Sequence, residues 1–321
     1  MIRPGAIALL SLAATSAAGD FLLEPPLDCD LTQTCYVQQG VDHDPGPGAQ
    51  DVLCGGLTYD GHKGTDFALP SLAMMQAGVD VIAAAPGTVR GVRNDMVDVL
   101  QGSPGAPDVT DRECGNGVVV SHGDGWETQY CHMKQGSITV QTGQTVAMGQ
   151  VLGHVGLSGQ TQFPHVHLSV RRDGAVVDPF APEAQDTCGA VPDDTLWNDP
   201  VAFVPGGLIA SGFSDAVPDY DAIKAGTAAR DRMSATAPGL VVWGFAFGGR
   251  VGDTLTLTIR GPQGEVFSNV QTLERDQAQL FRAGGRRTPP GGWPAGDYIG
   301  TVEMMRDGAV LDVQTIAVTL D

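Results

Sequence analysis

From Val79 to Val177 the chain alternates short apolar runs with glycine-bearing breaks: "VDVIAAAPGTVRGV", "GNGVVVSHGDGWETQYCHM", "SITVQTGQTVAMGQVLGHVG" and "PHVHLSV". Runs of this length, with turn signals roughly every eight to twelve residues, predict an all-β unit. Within it, "SHGDGWE" predicts a hairpin turn between the strands "VVVS" and "ETQYCHM". The segment from Asn94 to Cys114 breaks the rhythm and is rich in Asp, Gly and Pro, which predicts a long surface loop of the kind that often carries function. Around Gln185 to Pro218 the strand pattern lapses. After it, "LVVWGFAFGGRVGDTLTLTIRGPQGEVF" and "AGDYIGTVEMMRDGAVLDVQTIAVTL" alternate again and predict a second, smaller β-sandwich of immunoglobulin-like type. The expected organisation is a leader at 1–18, an N-terminal extension at 19–53, a first domain at 54–188, a linker at 189–206 and the sandwich at 207–321. The fold class is mainly β.

Charge narrows the partners. The formal net charge is −19, a field that repels nucleic acid and anionic lipid surfaces and so excludes both as expected partners. The first residues, "MIRPGAIALLSLAATSAAGD", hold one Arg, a short apolar run from Ala6 to Ala14 and a small-residue site near Ser16-Ala17-Ala18. That is the pattern of a cleaved secretory signal peptide, with an apolar run too short for a membrane anchor. Export to a periplasm or secretion is the expectation. Six cysteines fit an oxidising compartment. Proximity in sequence suggests Cys29–Cys35 and Cys114–Cys131, which leaves Cys54–Cys188, although six cysteines allow many pairings.

The candidate chemistry lies in histidines. "GHKGTDFALP" places His62 and Asp66 four positions apart at the entry to a strand. "ETQYCHM" holds Tyr130 and His132 two positions apart, and "PHVHLSV" does the same with His165 and His167. Side chains two apart on a strand project from one face, so each pair is expected to aim at one place. Nitrogen and oxygen donors of this kind, three to a metal with one position open, make a catalytic zinc site, whereas a closed structural site uses four ligands and commonly cysteine. Tyr130 either lines a groove or packs in the strand. His43, His122 and His154 sit at turn-like positions and are expected to be solvated loop residues.

In their order and density these motifs resemble the lysostaphin-type, LytM-like zinc metalloendopeptidases that hydrolyse peptidoglycan. The resemblance runs from about Gly61 to Pro179, through "HKGTDFA", the Ala84–Val89 turn "AAPGTV", "GNGVVVSHGDGWETQYCHM", "VQTGQTVAMGQVLGHVGLSGQT", "PHVHLSV" and "DGAVVDP". It implies a compact antiparallel metallopeptidase core with an open groove over residues 54–188. It further implies one catalytic zinc ion held by His62, Asp66 and His167, with His132 and His165 as non-ligand catalytic histidines. The implied function is an exported zinc endopeptidase that cuts cross-links or stem peptides of bacterial cell wall. Two other readings are a secreted protein-directed zinc endopeptidase and a non-catalytic adaptor that binds wall or activates another hydrolase. A groove plugged by the Asn94–Cys114 loop or by residues Asp20 to Asp60 would keep the adaptor reading open, and would equally fit a latent enzyme. The sequence departs from the family pattern at "HVHLSV" and "SGQTQFPH", which bears on groove shape rather than on the metal.

Overall fold

The structure is a computed structural model and describes residues 21–184 and 186–321. The leader expected at 1–18 lies outside the described residues. Among the described residues, no helix is long and apolar enough to cross a membrane.

Alternating strands build the first half. In chain order they are β1 (Tyr36–Gln39), β2 (Thr65–Ala68), the one-turn-and-a-half helix α1 (Leu72–Ala77), β3 (Asp80–Ile82), β4 (Gly87–Arg93) and β5 (Asn116–Gly123). There follow β6 (Trp126–Met133), β7 (Thr145–Val146), β8 (Val151–His154), β9 (His165–Arg172) and β10 (Ala175–Val177). Eight of these strands form one sheet in the order β1-β2-β9-β6-β5-β4-β7, with β10 on β9, while β3 and β8 pair separately. Asp124 and Gly125 both have positive φ, 48° and 80°, the doubly left-handed hairpin turn that Asp-Gly favours. This turn joins β5 to β6, as the pattern predicted. Ser71 caps α1 by accepting a hydrogen bond from the Met74 amide.

The segment from 94 to 114 has no strand or helix, but it is firmly held. Asn116 exchanges hydrogen bonds with both backbone groups of Met96, at 2.8 and 2.7 Å. The Asp98 carboxylate accepts from the amides of Gln135 and Leu157.

The second half is a two-sheet sandwich. Its elements are β11 (Gly207–Ser214), α2 (Tyr220–Ala225), β12 (Arg232–Met233), β13 (Gly239–Gly249) and β14 (Thr254–Gly261), then β15 (Gly264–Thr272), β16 (Gln277–Arg287), β17 (Gly296–Arg306) and β18 (Ala309–Leu320). One sheet runs β11-β13-β16 and the other β12-β18-β17-β14-β15. In β14, "TLTLTI" buries Leu255, Leu257 and Ile259 and leaves the threonines between them less covered. These three meet Leu240, Val242 and Ala246 of β13 in one apolar core.

Strand β13 departs from the simple alternation expected of a sandwich, because all eleven of its residues are buried. Its other face carries Trp243, Phe245 and Phe247, which join the apolar core of the first half beside Trp197 and Phe203. A strand covered on both sides reads as a continuous apolar run, and here the first domain supplies the second cover. Burial of each aromatic contributes about 1.5–3 kcal/mol to this joint. Residues 189–206 run across the same region, with a Leu23–Trp197 bridge and the Leu196 amide donating to the Pro179 carbonyl.

Three disulfides are present: Cys29–Cys35, Cys54–Cys188 and Cys114–Cys131. They are the pairs that proximity in sequence suggested. His43, by contrast, is no solvated loop residue: it is 3 % exposed. Its Nδ1 lies 3.0 Å from the Ala184 carbonyl and its Nε2 2.7 Å from the Asp178 carboxylate. Two acceptors facing two ring nitrogens call for a proton on each, hence an imidazolium. Burial opposes that charge, but the Asp178 hydrogen bond and charge, with the backbone acceptors, outweigh it and raise the pKa of His43. His122 is likewise ordered, on β5, between the Pro86 carbonyl and the Thr128 hydroxyl. His154 comes nearest to the expectation, with its side chain 43 % exposed beside Asp80.

Two outcomes follow from these ties. Cys54–Cys188 closes a sequence separation of 134 residues, so Cys54→Ser with Cys188→Ser should cost about 3–5 kcal/mol in urea unfolding. A raised histidine pKa stabilises fully below the unfolded value near 6.5, and that contribution is lost as pH rises through the folded value. The stability gap between wild type and His43→Gln should therefore narrow between pH 6 and pH 9, and a gap constant with pH would contradict the imidazolium.

Candidate active site

The central sheet assembles the site by register. In the β2–β9 pairing, Asp66 lies opposite His167 and Ala68 opposite His165. Because residues two apart share a face, both β9 histidines lie on the Asp66 side of the sheet. His62, in the turn before β2, completes the group. Its Nε2 is 3.3 Å from Asp66 Oδ1 and 3.0 Å from His167 Nδ1, and His167 Nδ1 is 2.8 Å from the same carboxylate oxygen. One ligand-type atom from each of the three residues falls within 4.8 Å of the others.

Backbone carbonyls set the tautomers. A carbonyl only accepts, so the ring nitrogen facing it carries the hydrogen. Gly40 O fixes His62 at Nδ1 (2.6 Å), Ser158 O fixes His132 at Nδ1 (2.9 Å), and Phe163 O fixes His165 at Nδ1 (2.9 Å). In the neutral form each of these rings therefore keeps its Nε2 lone pair free. His167 is turned the other way round: Nε2 meets the Ser169 hydroxyl at 3.0 Å and Nδ1 meets the cluster. His62 thus offers an Nε2 lone pair, and His167 offers one at Nδ1 when its Nε2–H donates to the Ser169 hydroxyl; with the Asp66 carboxylate, such a set suits a divalent cation.

His132 reaches the site by a different device. Tyr130 and His132 do not share a face as strict alternation required. Register slips between Asn116 and Val118 on β5, opposite the end of β6, and His132 adopts φ 62°. A bulge of this kind re-aims a side chain. Tyr130 points into the core, fully buried, its hydroxyl accepting from the Ala84 amide at 2.7 Å. His132 turns to the groove, with its ring 4.6 Å from that of His165 and 6.1 Å from that of His167. The adjacent Cys114–Cys131 disulfide and the His132 amide bond to Cys114 O hold the bulge.

One glycine is required by close approach. A Cβ on Gly64 would lie 2.6 Å from His167 Nε2 and 2.5 Å from the Leu168 carbonyl oxygen. The "HKGTD" stretch therefore needs glycine for the His167 ring to lie against it.

Electrostatics separate the four imidazoles. Asp66 is 2 % exposed; burial disfavours its charge, but the surrounding histidines more than offset this and hold it well below the usual carboxylate range. Burial likewise opposes charge on His62, and the Asp66 carboxylate overrides it, raising the His62 pKa. Burial, reinforced by neighbouring imidazoles, keeps His132 well below its ordinary value. Burial also lowers His165, against the pull of Asp66, whose Oδ1 lies 3.6 Å from its Nε2. His132 and His165 are neutral bases at neutral pH.

The site opens on a groove of about 1020 Å³ that Asp66, His132 and His165 line. Among the described residues, the 94–114 loop and the N-terminal extension line the groove rather than fill it. Leu100 to Ser103 border it on one side, and Tyr36, Gln38 and Gln39 of β1 border it on another. Two contributors escaped the sequence reading. Tyr59, half-exposed, sets its ring 4.4 Å from that of His62. Gly40 acts through its carbonyl alone, and no residue identity announces such a role.

Residues 60–179, which include all five histidine and aspartate positions, match the model of Peptidase family M23. The Peptidoglycan DD-endopeptidase ShyA of Vibrio cholerae is 35% identical over 109 residues, 34% of this chain and 20% of that protein. The DD-carboxypeptidase/endopeptidase Mpg of Neisseria meningitidis is 31% identical over 124 residues, 39% of this chain and 23% of that protein. The chain thus spans less than a quarter of the length of these curated relatives. Among solved structures, a putative peptidase M23 from Pseudomonas aeruginosa is 27% identical, covers 52% of this chain and 50% of its own, and has a TM-score of 0.30. A mutant catalytic domain of the prophage-encoded M23 protein EnpA from Enterococcus faecalis is 24% identical over 54% of this chain and 100% of its own, with a TM-score of 0.32.

Gly64→Ala should push His167 out of place. Zinc affinity, read by competition with a chromophoric chelator, should fall about 10–100-fold. Unchanged affinity would show that the His167 ring does not depend on this close approach.

Proposed function

We propose that this chain, whose residues 60–179 match the model of Peptidase family M23, is an exported zinc endopeptidase acting on the peptides of bacterial cell-wall peptidoglycan. The observation that carries the reading is the convergence of His62 Nε2, His167 Nδ1 and an Asp66 oxygen beside two neutral imidazoles. Two imidazoles and one carboxylate fit a catalytic zinc, which keeps a fourth position for water or substrate. When bound there, zinc would supply Lewis-acid polarisation of the scissile carbonyl and make water a stronger acid.

The remaining steps belong to the chain's own groups. His165 and His132 present Nε2 lone pairs to the groove, so either can accept a proton from the attacking water and return it to the leaving amine. Once protonated, either can also hydrogen-bond the developing oxyanion. Their Nδ1–H bonds to Phe163 O and Ser158 O hold the rings in place, so no rotamer search precedes the proton transfer. Asp66 keeps its charge near neutral pH and would balance the metal. The three disulfides fit an exported protein. The open groove favours an enzyme over a plugged adaptor.

The test uses the purified chain from Gly19 with isolated peptidoglycan sacculi, analysing released fragments by mass spectrometry. Wild type should release peptides in a chelator-sensitive manner, and His167→Ala should neither bind stoichiometric zinc nor cleave. His132→Ala should keep its zinc and lose about 10²–10⁴-fold in kcat. Zinc binding without release from sacculi, but with cleavage of soluble proteins, would replace the wall substrate with a protein one. No cleavage of either would sink the enzyme reading.

A further inference from the structure

The groove is not the work of the peptidase core alone. Part of its lining comes from the C-terminal sandwich: Tyr220, Asp221 and Lys224 on α2, Phe245 on β13, and Ala278 and Gln279 on β16. This wall is locked in place. The Tyr220 ring stacks on Phe281 at 5.4 Å and meets Phe245 edge-on at 5.8 Å. Gln279 donates to Gln38 Oε1 at 3.0 Å and to the Tyr36 hydroxyl at 3.3 Å, while Gln38, 1 % exposed, donates to the Ala278 carbonyl. A polar seam thus ties the sandwich to β1, and β1 is paired to the strand that carries Asp66.

The chemistry of the lining is unusual for a chain of net charge −19. Among the described residues, Lys224 is the only lysine or arginine along the groove. Its Nζ sits 4.8 Å from the centre of the Tyr220 ring, and its side chain is only 33 % exposed. The Asp221 carboxylate 2.9 Å away is 93 % exposed, and an ion pair to so solvated a partner is worth little and is readily exchanged. Beyond the Gln38–Gln279 seam, four more glutamines stand around the groove, Gln39, Gln101, Gln160 and Gln162. Each amide both donates and accepts, as the backbone of an extended peptide requires. The volume of about 1020 Å³ lies at the top of the range for small-ligand pockets, room for several residues of peptide.

We propose that the C-terminal sandwich is a substrate-recognition wall, in which Lys224, seated on Tyr220, takes a free carboxylate of the peptide that occupies the groove. The assignment rests on the peptidase reading above and deepens it: the substrate is a carboxylate-bearing peptide, and the second domain selects it. Lys224 is a specificity residue with no part in the bond-breaking step.

The experiment uses the full zinc-loaded chain, its Lys224→Ala and Lys224→Arg variants, and cross-linked muropeptides in two forms, with carboxylates free or amidated. A charge-assisted hydrogen bond should give wild type a preference of about tenfold or more in kcat/KM for the free form, expressed in KM. Lys224→Ala should bring that ratio close to one by raising KM for the free form, with kcat, zinc content and turnover of the amidated form unchanged. Lys224→Arg should restore most of the preference. A Lys224→Ala variant that keeps the wild-type ratio, or loses kcat on both forms alike, overturns the proposal. If wild type cleaves neither form, the peptidase reading fails, and calorimetric binding of the same two muropeptides still decides the subsite. A free-form preference abolished by Lys224→Ala supports it, and equal binding of both forms removes it.

Discussion

A buried carboxylate must be compensated, and the site is organised around the way Asp66 meets that demand. An isolated ionised group in a protein interior costs several kcal/mol or more unless positive charge and hydrogen bonds surround it. Asp66 is 2 % exposed and has imidazoles for neighbours: His62 at 3.3 Å, His167 at 2.8 Å and His165 at 3.6 Å. Neutral imidazoles alone leave the charge poorly balanced. The cluster therefore draws in positive charge, as protons on the rings or as a divalent cation held by their lone pairs. The carbonyl of Gly40 tips this choice, since a hydrogen on His62 Nδ1 leaves Nε2 as the atom facing Asp66. The strand register that sets Asp66 against His167 thus places charge, ligand atoms and proton acceptors in one operation.

The rest of the fold maintains that register against water. Strand β1 covers the edge of β2 and delivers the Gly40 carbonyl, so the N-terminal extension belongs to the site. Strand β13 is buried on both faces and joins the sandwich to the first domain through Trp243, Phe245 and Phe247. A joint of this kind resists relative domain motion more than the polar interfaces usual between domains. The sandwich consequently holds a fixed position beside the groove.

How much of this was legible in the sequence follows from which interactions side-chain identity encodes. Period-2 alternation revealed the strands and the shared face of His165 and His167, and the Asp-Gly pair revealed the β5–β6 turn. The same alternation misread Tyr130 and His132, because a bulge with φ 62° at His132 sends them to opposite sides. His43 was misread for a different reason: its turn-like neighbours suggested solvent, while its partners Asp178 and Ala184 lie more than a hundred residues away. Backbone carbonyls that choose tautomers, and a sandwich face that meets another domain, leave no local pattern. The immediate context of β13 could have hinted at its double burial, since "GLVVWGFAFGG" is apolar at nearly every position.

The central claim is that His62, Asp66 and His167 hold one zinc ion. Anomalous diffraction at the zinc edge, from crystals of the full chain grown with one equivalent of zinc, tests it most directly. The account predicts a single strong peak about 2.0–2.2 Å from His62 Nε2, His167 Nδ1 and an Asp66 oxygen. A peak among other residues, or none at this cluster, would contradict it.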